Sequence, residues 1–290
     1  MFWQTYKTTV KNLLRSGVFW FTLLIVTGIA VFEGLDTFGG GTLINSATGA
    51  MKSVTDKSPL FVLGYSTYLK RIINTIGGAI IYPIPLAVIV STALVLNRDY
   101  GDNFYEIEKS SGIRPSAYML GRVSALITVN FISAMIYTFV SFHTCIISRN
   151  GVRIMGLGYY VIDSTVRLMR VMIFVLFPAI LFYIGTTLLL GCIFRSGLYS
   201  SVISVGYVVF FLASGTVLRG AIPAVYAEYL SPYPQKLMFY MYYYDTSNFE
   251  YTLKQHNTSF YEAAFCVLFL VGVAALFTAI SYLFTRKRNR

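Results

Sequence analysis

The sequence predicts an all-α membrane protein, and three observations carry that prediction. First, six long apolar stretches run through the 290 residues, near 18–32, 72–96, 123–147, 171–194, 201–218 and 261–284. A bilayer core needs about 20 apolar helical residues to cross it. Second, the chain is 56% hydrophobic and only 12% charged, where a soluble domain carries about 25% charge. Six spans leave no room for a large soluble domain, so residues 1–290 read as one transmembrane domain. Third, charge falls between the stretches and is uneven. With the N-terminus inside, 12 of the 23 basic residues fall in inner segments of roughly 55 positions, and the rest in roughly 100 outer positions. Basic residues concentrate on the cytoplasmic side of membranes, so both termini are expected there. The tail Arg286-Lys287-Arg288-Asn289-Arg290 suits a cytoplasmic anchor.

Residues 1–16 form the first element. Tyr6, Val10, Leu13, Leu14 and Gly17 recur on one helical face, while Lys7, Lys11 and Arg15 stripe another. This predicts an amphipathic helix lying in the membrane surface with its apolar side down. A plain basic flank of the first span is the alternative. The first apolar stretch has a signal-peptide look, but the 17 residues before it are long for an n-region. It is read as an uncleaved span.

The first outer loop opens on Gly39-Gly40-Gly41, a flexible start. No Gly-Lys-Ser/Thr follows, so it is not a phosphate loop. Span two contains Pro83 and Pro85, and span four Pro178. Proline inside a helix removes a hydrogen bond and kinks it.

Residues 97–121 form the most informative inner segment. Asp99, Asp102, Glu106 and Glu108 come early and Lys109 late, in accord with a helix dipole. Tyr100, Phe104, Ile107 and Ser111 share a face. Gly112 can end the helix and Pro115 follows. The expected product is a short surface helix with an aromatic ridge flanked by carboxylates, suited to a partner's groove. A capped loop helix without a partner is the alternative. Spans four and five join through a tight turn at Arg195-Ser196-Gly197. The last outer loop, 219–260, holds Pro223, Pro232, Pro234 and the run Phe239-Tyr240-Met241-Tyr242-Tyr243-Tyr244. Aromatic residues at this density favour the membrane interface. Short helices re-entering the outer leaflet are expected there.

Catalytic chemistry finds little support. The two histidines, His143 and His256, belong to no HExxH, and no GxSxG occurs. Cys145, Cys192 and Cys266 have no metal-ligand spacing and read as packing residues. The net charge of +11 would suggest nucleic acid in a soluble protein. In a membrane protein it follows from basic inner loops, so no nucleic-acid partner is expected. The apolar stretches hold no ionisable group of the kind that ion-coupled carriers keep at mid-membrane depth. Any work the protein does would draw on another energy source.

Three stretches resemble the ABC-2 family of ABC-transporter permeases. Lys7-x-x-x-Lys11-x-x-x-Arg15-Ser16-x-x-Phe19-Trp20 is similar to that family's connecting helix and its run into the first span. Arg98-Asp99-x-Gly101-Asp102, followed by Gly112-Ile113-Arg114-Pro115-Ser116-Ala117-Tyr118-x-x-Gly121-Arg122, is similar to its cytoplasmic coupling segment. The Pro- and aromatic-rich stretch before the last span is similar to its re-entrant outer helices. Asp102 stands where Thr is common, and the spacing to Pro115 is longer than usual.

The resemblance implies six spans per chain, with two identical or related chains making an exporter. A separate ATPase subunit would carry ATP and Mg, leaving this chain without a cofactor or catalytic residue. Asp99, Tyr100, Gly101, Phe104, Glu106, Ile107, Glu108 and Arg195 would form the ATPase-coupling surface. Tyr82, Phe210 and Phe211 would be candidates for the substrate path. The substrate would be hydrophobic or amphipathic. An ATP-independent carrier or channel, and a peptide-sensing or immunity subunit, are the alternatives.

Overall fold

The computed structural model describes residues 2–36, 42–44, 51–53, 62–63, 83–101, 110, 112–147, 153–154, 169, 172–216, 225–232, 237 and 259–287. Among the described residues seven α-helices occur: α1 (Phe2–Arg15), α2 (Gly17–Asp36), α3 (Pro83–Gly101), α4 (Pro115–Ile147), α5 (Phe177–Phe194), α6 (Gly197–Thr216) and α7 (Phe260–Lys287). Single π-helical turns stand at Met172–Leu176 and Tyr226–Leu230. Two short ladders join loop segments: Thr42–Ile44 pairs antiparallel with Met51–Ser53, and Val62–Leu63 parallel with Arg153–Ile154.

Among the described residues, three helices are long and apolar enough to cross a bilayer: Pro115–Ser141, Ile173–Phe194 and Phe260–Arg286. A fourth crossing results if α1 and α2, bent by 67° at Ser16, count together. The chain is a membrane-embedded protein. Of the expected second span, residues 72–82 lie outside the described residues. Within α6 the described apolar stretch is Gly197–Phe210.

Helix α5 is the hub. It is apolar all round, as a helix must be to lie inside a bundle. Of its span 61% is buried inside the protein, against 22% for α7. It packs against α3, α4, α6 and α7. Without water there is little hydrophobic force between helices in lipid, so close approach and interhelical hydrogen bonds decide which faces meet. Gly185 admits the α7 backbone: a Cβ there would stand 3.0 Å from the Ala274 carbonyl oxygen. Gly191 receives the Leu96 side chain of α3. Between α3 and α4, the Ser91 hydroxyl donates to Asn130 Oδ1 at 2.8 Å, and Asn130 Nδ2 returns a bond to the Leu126 carbonyl. Between α5 and α6, Thr187 Oγ1 donates to Ser204 Oγ at 3.2 Å, and Ser200 Oγ donates to the Thr187 carbonyl.

α3 is described from Pro83 onward, with Pro83 and Pro85 in its first described turn; residues 72–82 of the expected span lie outside the described residues. Pro178 sits in the first turn of α5, behind the π-helical turn Met172–Leu176. The wider π turn absorbs the lost bond.

The surface helix is present, with a different buried face. Thr5, Thr9 and Leu13 are its buried residues. They lie one turn apart and press on α4, where Gly121 leaves room; a Cβ on Gly121 would meet the Phe2 carbonyl oxygen at 2.9 Å. Trp3 and Leu14 remain exposed, and Val10 is half-buried. Amphipathicity predicts that apolar side chains leave water, and it does not distinguish a protein face from a lipid face. Small threonines and Leu13 take the helix contact, and Trp3 and Leu14 stay on the exposed side.

Of the last outer loop, the Tyr226–Leu230 turn is described. The Tyr226 hydroxyl meets that of Tyr207 on α6, and the Tyr229 hydroxyl donates to Glu262 Oε1 at 2.8 Å. Glu262 also accepts from the Ser259 N–H at 2.7 Å, while Ser259 Oγ accepts from the Glu262 N–H at 3.2 Å. This reciprocal pair caps the start of α7. The aromatic run 239–244 lies outside the described residues.

Candidate functional site

Arg15, Arg98, Asp99, Arg122 and Arg195 gather at one end of the helix array. α1, the last turn of α3, the first turns of α4, the α5–α6 turn and the last turns of α7 all meet there, around two adjoining cavities. Helices α2, α4 and α6 therefore depart from this basic end, and α3, α5 and α7 return to it.

The smaller cavity, about 90 Å³, is lined by Asp99, Tyr100, Tyr118, Arg122, Arg195 and Thr285 among others. Asp99 lies beyond the apolar run of α3, which ends at Leu96. Its carboxylate pairs with the Arg122 guanidinium. Its other oxygen accepts from the Tyr118 hydroxyl at 2.9 Å. Arg122 follows Tyr118 by one helical turn and stacks over that ring, 4.2 Å from its centre. The i, i+4 spacing on α4 thus delivers a hydroxyl and a guanidinium to one carboxylate on α3. Burial pushes the Asp99 carboxyl above the usual carboxylate range, while Arg122, Tyr118 and Arg98 draw it back. With such opposed contributions, the cluster fixes geometry more than it adds stability.

Arg195 reaches the same cavity by an unusual backbone. It caps α5 in the left-handed region, φ 52°, and lets the chain reverse within two residues. Gly197 then lies so close to α3 that a Cβ would strike the Ala93 carbonyl oxygen and stand 2.6 Å from Asn97 Oδ1. No larger residue fits without moving the turn.

The sequence-derived coupling residues divide accordingly. Asp99, Tyr100 and Arg195 come together around one cavity, although Arg195 is distant in sequence. The expected surface helix is corrected at its start: Asp99, Tyr100 and Gly101 are the last turn of α3, continuous with the span. Tyr100 is half-buried against the hydrophobic core and does not open an exposed ridge. α3 runs on as a helix through Gly101, and packing of the Tyr100 ring outweighs its amphipathic placement. Phe104, Glu106, Ile107 and Glu108 lie outside the described residues. Gly112 has φ +79°, the left-handed conformation expected of a helix-ending glycine, and Pro115 opens α4. Of the path candidates, Tyr82 lies outside the described residues. Phe210 is exposed on α6, which also carries Phe211.

Arg122, Tyr118 and Arg98 fall in the stretches that resemble a coupling segment, but sequence reasoning did not name them among the site residues. Their signal was available in part. Tyr118 and Arg122 are one turn apart at the start of a span, and a charge there needs a partner. Its identity depends on the α3–α4 packing, which spacing alone does not provide.

Among the described residues no group of His, Cys, Asp and Glu could hold a metal ion. Comparison with protein-family models finds no match, and no curated protein matches the chain.

Proposed function

We propose that the chain is the membrane-spanning subunit of an ATP-driven exporter of the ABC-2 kind. It crosses the cytoplasmic membrane six times with both termini inside and pairs with a second permease chain. A separate ATPase subunit, which binds ATP and Mg, docks on the 97–121 segment. ATP binding closes the ATPases, and the motion passes through that segment into the spans. The cargo is hydrophobic or amphipathic and passes near Tyr82, Phe210 and Phe211.

The observation that carries this reading is the gathering of Asp99, Tyr100 and Arg195 around one cavity, at the root of the segment after Gly101. A force applied to that segment acts first on the Asp99–Arg122–Tyr118 cluster. From there it reaches α3, α4 and the α5–α6 turn together. A rigid, hydrogen-bonded root of this kind transmits displacement, where a flexible loop would absorb it.

The test is affinity purification of the tagged chain in mild detergent, with identification of co-purifying proteins. An ATPase carrying a phosphate loop is expected. Replacing Phe104 and Ile107 together with glutamate should remove that ATPase while the chain stays in the membrane. Recovery of the chain as a homo-oligomer with no ATPase, under the gentlest extraction, would overturn the proposal in favour of an ATP-independent carrier or a sensor.

A further inference from the structure

The larger cavity at the basic end has a different chemistry. It measures about 410 Å³ and lies between α1, the end of α3 and Arg122 of α4, with Ser16 of the α1–α2 elbow at its edge. Arg15, Arg98 and Arg122 line it, together with the amides of Asn12 and Asn97 and the hydroxyl-bearing Ser16. Among the described residues no carboxylate lines it. Asp99 stands behind, paired to Arg122. Among the described residues three guanidinia and one carboxylate meet around it. Leu13, Leu94 and Val95 add apolar lining.

From this arrangement we infer that the cavity binds a phosphate-bearing anionic group, supplied by the headgroup of an anionic phospholipid. Guanidinium is the side chain best matched to phosphate, because its forked donors engage two oxygens at once. Arg122 is held in place by the Asp99 carboxylate and the Tyr118 ring, so less freedom is lost on binding.

The depth of the cavity selects the source. The apolar run of α2 starts directly after the elbow, and that of α3 stops at Leu96, directly before Asn97. Both boundaries fall beside the cavity, which polar donors line together with leucine and valine. That combination matches a lipid, whose phosphate joins a polar headgroup to an apolar tail. Trp20, exposed on the first turn of α2, donates its indole N–H to the Leu14 carbonyl at 2.6 Å. An exposed tryptophan at this level is an interfacial anchor. The inference does not depend on an ATPase partner.

The chain's only two tryptophans, Trp3 and Trp20, flank the elbow on α1 and α2. They make a local reporter. The full-length protein is reconstituted in phosphatidylcholine vesicles containing brominated phosphatidylglycerol or, separately, brominated phosphatidylcholine at equal mole fraction. Tryptophan quenching by the anionic lipid should exceed that by the neutral one. Near a membrane each arginine contributes roughly a fivefold preference. Arg15→Gln, at an exposed position, should therefore lower the preference about fivefold, and Arg15→Gln with Arg98→Gln should abolish it. Lys7→Gln with Lys11→Gln removes two charges from α1 outside the cavity and should leave the preference largely intact. Soluble inorganic phosphate should not compete at millimolar concentration. Competition by phosphate without any lipid preference would make the ligand a free anion and overturn the lipid source. Equal quenching by both lipids with no phosphate effect would overturn the site. So would a preference that follows Lys7 and Lys11 in place of Arg15 and Arg98.

Discussion

Asp99 and Arg122 form an enclosed ion pair, with side chains 12% and 5% exposed. Such a pair adds little net stability, since desolvation offsets attraction, yet removing one partner takes away the main counter-charge of the other. Asp99→Asn should cost ~3–5 kcal/mol, a fall of roughly 10 °C in melting temperature for a chain of this size. Combining Asp99→Asn with Arg122→Gln removes both charges and should recover more than half of that loss. Thermal unfolding of the purified protein in detergent measures both. If the single and double variants melt together, Arg122 does not depend on Asp99 and the pair is not a unit. Tyr118→Phe, which removes one hydrogen bond and keeps the stacked ring, should cost only about 1 kcal/mol.

The α5–α6 turn shows at the scale of an element how small residues position charged ones. Gly197 lets the start of α6 press on Ala93 and Asn97, and that contact holds Arg195 over the cavity it shares with Asp99. Gly206, about two and a half turns along the same helix, has nothing within 4 Å of its Cβ direction. Gly197→Ala should therefore destabilise by ~1–3 kcal/mol, the range for overpacking against atoms that cannot yield. Gly206→Ala should be neutral or stabilising by up to ~1 kcal/mol. Melting temperatures of the two variants decide it, and an equal response would mean that the turn does not rest on α3. The contrast also marks how far the sequence can be read. Hydropathy located α2, α4, α5, α6 and α7, because a helix in lipid must be apolar over its length. A helix-ending glycine was legible at Gly112, because few other residues accept φ +79°. Which glycine is filled by a neighbour was not legible, since that depends on helices that meet only in space. For the same reason Thr5 and Thr9 were passed over in favour of Val10 and Leu14, although the threonines make the contact with α4.

At the scale of the whole molecule, the basic end ties the two termini together. Thr9 and Asn12 of α1 line a cavity with Arg122, and Arg122 lines the adjoining cavity with Phe284 and Thr285 of α7. The first and last helices thus end at the same side of the array. Successive helices from α2 to α7 alternate in direction. Only three or four of them meet the length and apolarity of a span within the described residues, so the crossing number has to be read by topology. Tags placed before Phe2 and after Arg290 should lie on the same side of the membrane. In the proposed topology that side is the cytoplasm, where basic residues concentrate. In right-side-out vesicles both tags should resist added protease, and in inverted vesicles both should be cleaved. One tag cleaved and one protected in the same vesicles would mean an odd number of crossings. It would also separate α1 from the end of α7, and the shared basic end, with the coupling role proposed for it, would fall with that result.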